Sequence, residues 1–452
     1  MTLFSKLLKH YIESSGYTIY QLSKRSGLNR TSIQKAISED RLPHLDSLKE
    51  LEKLLNLTPD EHRLFWESYE QAFYGEALFR QRQSVRRLLA SLSCSPLPAT
   101  NPSSYFPDLH MPQMPENLPS GGKLYQGILS FAPLFRDILD QLCKKEDGSS
   151  HQVLASFASM PPSLLFHSLF FRLADETSDL SVSQIVYFIK NPGDSGRPSY
   201  NLDLLSLYLP FFFFCGSRYE ASYVYRESLT AAFAPELFPS YMIFPDKAVL
   251  FSADFQTIWV ETDSGMVSHF RRAFFQTKTA SSPLAMRLGG IGDLLEQDET
   301  FSLPSETRLL FRADSLKEFA HTGILCEKAA PISPRARYRC LKKLEKACLD
   351  DSFTICALPS TGFPLSPGLS VILQGTKLLT IGFPDIKKES WYHISISENT
   401  IVDSFLDFID MSLENEEFLS REEILGLVRE LLSYMESSKW MLEKLPEPFW
   451  QP

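Results

Sequence analysis

Arg30, Thr31, Gln34 and Lys35 place a guanidinium, a hydroxyl, a carboxamide and an ammonium close together at helical spacing. As a set they are hydrogen-bond donors and acceptors, suited to the edges of bases and the oxygens of phosphates. To act together they must share a face. Ile33 and Ile37, four residues apart, give the same helix an apolar stripe that turns the four polar side chains outward. A second short amphipathic helix precedes it, with Thr18 able to cap its start, Leu22 as its buried residue, and Gly27 where the chain must leave helical geometry. Asn29 then restarts a helix. Two short helices joined by a tight glycine turn can set the second in a DNA major groove.

The flanking sequence supplies the frame for that pair. A helix is expected from Leu3 to Ser14, with Leu3, Leu7 and Tyr11 on one face and Gly16 ending it. Pro43 closes the second half of the motif, and a further helix runs from about Leu45 through Leu55 with Leu48, Leu51 and Leu55 inward. Thr58-Pro59-Asp60-Glu61 has the spacing of a capping box with proline at the first helical position. That helical stretch continues to about Leu92, with Gly75 as a break, and carries Phe65, Tyr69, Phe73 and Leu88-Leu89.

The ordered spacing Thr18-x-x-Gln21-Leu22-Ser23-x-x-Ser26-Gly27-Leu28-Asn29-x-x-Ser32-Ile33, followed by Pro43 and by Leu48-x-x-Leu51 with Leu55, resembles the Cro/C1-type, or XRE, family of helix-turn-helix domains. The resemblance covers about residues 3–70 and implies an all-α domain of five helices that binds double-stranded DNA. It departs from the family at Ser23, where a small alanine is common, and near Asp40, where glycine is common. By position it implies that Arg30, Thr31 and Lys35 meet base edges, with Gln34 as a secondary reader. Arg30 would suit guanine by a bidentate contact, and Thr31 a thymine methyl or either base. It also implies that Thr18, Gln21, Asn29, Ser32 and Arg41 touch the DNA backbone, which positions the domain without reading sequence. Domains of this kind work as dimers on paired half-sites, because one short helix reads too few base pairs. The region from Pro59 to Leu92 is the leading candidate for dimerisation, with the large carboxy-terminal region as the alternative.

Charge divides along the 452-residue chain. Residues 1–95 hold 14 basic and 11 acidic side chains, the remainder 31 and 44, so a positive amino-terminal part precedes an acidic body. The excess is concentrated before residue 42, with 7 basic against 3 acidic, where phosphate contacts are expected. Seven cysteines form no CxxC pair, which with no secretory signal points to reduced thiols in the cytoplasm. Cys340, Cys348 and Cys356 recur every eighth residue, unlike zinc ligands, and no metal or cofactor is expected. No apolar run reaches the length of a membrane span.

Seven prolines between Cys94 and Gly122 mark residues 93–122 as a linker between a domain of residues 1–92 and a region of residues 123–452. That region reads as α/β or α+β, with a subdivision near 290–330. Strands are expected over Val182–Ile189, Leu207–Cys215, Tyr241–Phe244, Lys247–Phe251, Phe353–Leu358, Leu369–Leu373 and Trp391–Ile396. Helices are expected over Leu124–Cys143, Pro334–Leu349, Ile401–Leu413 and Ser420–Ser437, the last opening on the capping box Ser420-Arg421-Glu422-Glu423. Met266-Val267-x-x-Phe270 echoes Ile401-Val402-x-x-Phe405 at an offset of 135, each after a strand-like run and a polar turn. Chance accounts for such an echo more often than not. Duplication would make the region two halves of related topology.

Enzyme signatures are lacking: there is no GxxxxGK[ST], HExxH or GxSxG, and Gly289-Gly290-x-Gly292 lacks dinucleotide-loop spacing. A Ser-Lys or Ser-His-Asp site leaves no fixed spacing and stays open as a minor alternative. Six basic residues between Arg335 and Lys346 suit an anion or DNA phosphate, or more commonly a solvated helix face; Phe211 to Phe214 suit a core. The leading reading is a non-enzymatic, sequence-specific transcriptional regulator, a cytoplasmic homodimer whose sensor domain answers a small-molecule or protein effector. The alternative is an antitoxin-like or defence-associated interaction protein that uses its DNA module for autoregulation.

Overall fold

A computed structural model describes residues 2–92, 122–143, 151–175, 179–193, 196–226, 237–288, 306–323, 332–350, 353–359, 365, 368–385, 390–415 and 417–437. The linker apart from Gly122, the Gly289-Gly290-x-Gly292 run, Cys94 and Cys326 lie outside these residues. The chain divides into two compact units, one of residues 1–83 with 196–199, the other of residues 84–195 with 200–452.

The first unit is all-helical: α1 (Leu3–Ser14), α2 (Ile19–Ser26), α3 (Arg30–Ser38), α4 (Leu45–Glu52) and α5 (Pro59–Tyr74), followed by α6 (Glu76–Ser91), which begins in the first unit and ends in the second. Gly75, at φ 85°, separates α5 from α6 as expected. Thr18 caps α2 as expected, in a full capping box with Gln21, and the expected box at Thr58 forms too. Thr58 accepts from the Glu61 amide and the Glu61 carboxylate receives the Thr58 N–H at 2.9 Å. One stripe is displaced: α1 buries Phe4, Leu8, Tyr11 and Ile12, while Leu3 is half exposed. The cause is the ring of Phe4, which packs at 5.5 Å from Phe65 and 5.3 Å from Tyr69 and so sets the rotation of the helix.

The second unit is α/β and is built on two sheets. Its elements are β1 (Lys123–Gln126), α7 (Ile128–Cys143), β2 (His151–Phe157), α8 (Ser163–Ala174), β3 (Leu180–Ile189), α9 (Tyr200–Phe214), β4 (Tyr219–Arg226), β5 (Ser240–Ile243), β6 (Ala248–Phe251), β7 (Thr257–Glu261) and α10 (Ser264–Thr279). Then come β8 (Ser282–Pro283), β9 (Met286–Leu288), β10 (Thr307–Arg312), α11 (Ala313–Thr322), α12 (Pro334–Leu349), β11 (Phe353–Leu358), β12 (Ser370–Gln374), β13 (Leu378–Asp385), β14 (Ser390–Ile396), α13 (Asn399–Glu414) and α14 (Arg421–Ser437). The first sheet has the order β1-β7-β6-β5-β2-β3-β4-β8, the second β9-β14-β13-β12-β10-β11.

Those two orders repeat one plan. In each, an edge strand lies antiparallel to the last strand of a three-stranded meander. The meander lies antiparallel to a central strand, which pairs in parallel with the next one across a helical crossover. The registers repeat as well. Ile258 lies between Phe251 and Tyr125 as His393 lies between Gly382 and Leu288, and Leu154 faces Ile243 as Arg308 faces Leu373. The 135-residue echo falls where each meander ends. Asp263 caps α10 by accepting the Met266 N–H at 2.9 Å, and Glu398 caps α13 by accepting the Ile401 N–H at 2.8 Å. Val267 and Val402 are buried behind them.

Two expectations fail here. Residues 207–215 are not a strand, because α9 is helical through Phe214 with Pro210 inside it. Nor does a helix start at Leu124: residues 123–126 are edge strand β1, and Gly127 at φ 77° makes the turn into α7. The halves interlock through α9. Asn201 pairs with both backbone groups of Ile189 and donates to the Thr400 hydroxyl at 2.8 Å. Tyr225 donates to the fully buried Glu398 carboxylate at 2.6 Å.

Candidate nucleic-acid interface

The turn between α2 and α3 is built from small polar side chains that satisfy backbone groups. Gly27 takes the left-handed conformation at φ 76°, as the sequence demands. Ser23 donates to the Leu28 carbonyl at 2.6 Å and Ser26 to the Leu22 carbonyl at 2.8 Å. An alanine at 23 would fit the space but leave the Leu28 carbonyl without that donor. From the other side Ser5 of α1 donates to the Ala36 carbonyl at 2.7 Å, so Ala36 is fully buried and Ile37 only half buried. A larger side chain at 36 would push α1 away.

Asp40 makes the second departure intelligible. It sits at φ 56°, a conformation that aspartate tolerates better than most non-glycine residues, and a glycine there would lose its carboxylate. That carboxylate accepts the Thr2 N–H at 2.7 Å and the Thr2 hydroxyl at 3.1 Å, tying α1 to the end of α3. The Thr2 amide, with help from Ser5, holds its pKa well below the usual carboxylate range.

Ile33 is fully buried, and at about 100° per residue Arg30, Thr31, Gln34 and Lys35 span an outward arc of about 140°. Arg30, Thr31 and Gln34 are exposed; Lys35 is partly covered and lies 3.9 Å from Glu39, a loose surface pair worth little. Thr18, Gln21, Asn29 and Arg41 are exposed, whereas Ser32 is half buried. Asn29 stands at the N-cap of α3 without a side-chain capping bond, which leaves its carboxamide for an outside partner. Gln21 has a double role. Its Oε1 accepts the Thr18 N–H at 2.9 Å within a complete capping box, so its amino group is turned outward. Sequence reasoning gives no cause to select Tyr20, yet it is 64% exposed beside Gln21. Arg25 is held differently, over the Tyr17 ring at 4.9 Å and donating to its hydroxyl at 3.0 Å.

In the large unit, Ser183 and Lys278 approach to 2.8 Å, the one Ser-Lys pair that the hydrogen bonds among the described residues bring together. Lys278 is also ion-paired with Glu220, and Ser183 is fully buried. That arrangement is a salt bridge, not a nucleophile with its base. The basic stretch of α12 is engaged by its neighbours: Arg337 donates to the carbonyls of Ala320 and His321 at the end of α11, and Lys342 and Arg429 flank Glu345. Phe211, Phe212 and Phe213 are core. Among the described residues no cluster of three metal-ligating side chains occurs, and no helix is long and apolar enough to cross a membrane.

Comparison with known proteins agrees with this geometry. Residues 8–62 match the family model HTH_3, Helix-turn-helix, which spans α2, α3 and α4 with parts of α1 and α5. The amino-terminal domain is therefore a helix-turn-helix domain of the Cro/C1 type, a DNA-binding module. No curated protein matches the chain. Among solved structures, the archaeal chromatin protein TrmBL2, described as showing a novel mode of DNA binding, is 11% identical, with 62% of this chain and 94% of that one covered at a TM-score of 0.21. Polyphosphate kinase from Porphyromonas gingivalis is also 11% identical, with 76% of this chain and 60% of that one covered at a TM-score of 0.24. Likenesses this low bear on neither fold nor function.

Proposed function

We propose that this protein is a sequence-specific transcriptional regulator that acts as a homodimer in the cytoplasm, and that its two-sheet region senses an effector instead of catalysing a reaction. The observation that carries the reading is the face of α3. Its inner side is locked by Ile33 and Ala36, while Arg30, Thr31 and Gln34 stand exposed as donors and acceptors. Arg30, Thr31 and Lys35 read base edges with Gln34 beside them; Thr18, Gln21, Asn29, Ser32 and Arg41 set the register on phosphates. Half-buried Ser32 contributes through its end of the helix.

A dimer follows from the shortness of the reading helix, since two copies double the base pairs read. The α5–α6 segment is the dimerisation element, with Phe73 exposed and stacked on Tyr69 at 5.8 Å. The decisive experiment is genome-wide mapping of bound DNA followed by footprinting of the purified chain. The expected result is a bipartite site with protections about one helical turn, or a multiple of it, apart. Uniform binding to all DNA would refute sequence-specific regulation, and a single unpaired half-site would refute the dimer.

A further inference from the structure

The turn of α6 that enters the second unit is held by both halves of that unit. Helix α6 runs unbroken from Glu76 to Ser91, and the division between the units falls inside it, after Gln83. Ser84, Arg86 and Arg87 follow at once. The buried Ser84 hydroxyl donates to the Asp203 carboxylate of α9 at 3.1 Å, and Arg87 donates to the Ser84 oxygen at 2.8 Å while lying 4.0 Å from Asp203. Arg86 is held by the other half. Its guanidinium donates to Glu417 at 2.7 Å and lies over the Phe408 ring of α13 at 5.8 Å. Val85, Leu88 and Leu89 of the same turns are buried.

Each grip is anchored on a sheet. Two residues before Asp203, Asn201 takes both backbone groups of Ile189 in β3; two residues after Glu417, the Leu419 N–H is accepted by the Ala357 carbonyl of β11 at 2.9 Å. Strands β3 and β11 are equivalent in the repeat, each the parallel partner of the central strand of its sheet. One helical turn is therefore held from equivalent strands of the two halves. Arg86 and Glu417 are only 23% and 27% exposed, so their pair is screened less than a surface one. The Arg86 Nε is buried without a partner among the described residues, which leaves Glu417 and the Phe408 ring to set the place of the guanidinium. Hydrogen bonds of these kinds span only about 2.7 to 3.2 Å, so a shift of one half against the other by about an ångström breaks one grip and leaves the helix with the other half.

We propose that the Ser84–Arg87 turn of α6 is a coupling element: it registers the relative placement of the two halves of the second unit and passes a change in it along α6 to the DNA-binding domain. It rests on the sensing role proposed above, for which it supplies the route from the two-sheet region to DNA. Residues 76–83 of the same helix belong to the helix-turn-helix unit, and a hydrogen-bonded helix carries a displacement of one end to the other. Residues 196–199, which lead into α9 and so to Asp203, also group with that unit. The grip on Asp203 therefore lies one helical turn beyond the second place where the chain returns from the helix-turn-helix unit.

The test uses the full chain, with amide hydrogen exchange read by mass spectrometry and anisotropy titration on the mapped operator. Asp203→Ala releases the first grip and Glu417→Ala the second, while Arg429→Ala, which breaks a pair with Glu345 elsewhere in the second half, is the control. Each release should speed exchange in residues 76–83 and shift operator affinity, both by at least about threefold, and the control should do neither. The double variant should go no further than the single ones, because either release alone ends the two-sided hold. Unchanged exchange in both single variants, additive effects of the two, or the same response in the control overturns the coupling element. If a release also lowers the melting temperature, charge reversal decides: Arg86→Glu and Glu417→Arg should each disturb the chain and together restore wild-type exchange and affinity, and failure to restore them overturns the element. Faster exchange without a shift in affinity overturns its action on DNA, whereas the expected exchange in a wild-type chain that binds no DNA overturns the regulator reading alone.

Discussion

Arg30→Ala separates the reading of DNA from the stability of the domain that reads it. Arg30 opens α3, its side chain is exposed, and no hydrogen bond or ion pair holds it among the described residues. The helix is fixed instead by Ile33 and Ala36, so truncation at 30 removes no internal contact. A surface change of that kind alters stability by less than about 0.5 kcal/mol, which is about 2 to 4 °C in melting temperature for a small domain. A bidentate contact with guanine is worth about 1 to 3 kcal/mol, or about 5- to 150-fold in Kd. The assay is anisotropy titration of wild type and variant on the mapped operator and on each of its single-base variants, at several salt concentrations. If Arg30 reads a base, the variant loses affinity on the operator, no longer discriminates at one base pair, and keeps the wild-type salt slope. An equal loss on every sequence with a slope smaller by about 0.9 would make Arg30 a phosphate clamp. A loss that follows a drop in melting temperature would make it structural, and either outcome refutes the assignment.

Gln21→Ala should weaken binding to all sequences by one common factor and also cost the domain about 0.5 to 1 kcal/mol, because its side chain closes the capping box; parallel melting and titration on operator and non-operator DNA measure both. Phe4→Ala should cost about 3 to 5 kcal/mol and abolish cooperative melting of the helix-turn-helix domain, since the ring is fully buried against Phe65 and Tyr69; urea unfolding of residues 1–92 would show a near-native midpoint if that packing were wrong. His393 is pulled down to about 4 by burial, so the folded chain keeps it neutral while the unfolded chain takes up a proton near 6.5. Its contribution is present above about pH 6.5 and is lost as the pH falls from there toward 4, amounting in full to roughly 3 kcal/mol. Denaturant midpoints at pH 7 and 4.5 should converge in His393→Leu, and an unchanged pH dependence would refute the assignment.

What could be read from the sequence is what short-range physics decides. The cap at Thr18, the capping boxes at Thr58 and Ser420, the proline at the start of α5 and the glycine turns at 27 and 75 each need only a few neighbouring residues, and all of them form. The outward face of α3 was legible for the same reason, since Ile33, read as inward, is fully buried, although its buried companion is Ala36 and the expected Ile37 is only half buried. Strands β2, β4 and β10 were not, because their residues become strands through partners that are far away in sequence. The same limit hid the repeat of the two sheets apart from its 135-residue echo, where a strand end and a capped helix start are both local.

The misread segment at 207–215 follows from the architecture itself. Helix α9 packs on β3 and β4 of the first sheet and on β13 and α13 of the second half, so it has almost no solvent side, and Leu202, Leu205, Tyr208, Leu209 and Phe212 are buried around its circumference. A helix without a solvent face shows no 3.6-residue period, and its apolar run then reads as a buried strand. Together α9 and β4 are the crossover that the second half lacks among the described residues. The element whose period was erased by burial between the halves is therefore the helix that carries the chain from β3 to β4, the strand on the edge of β3.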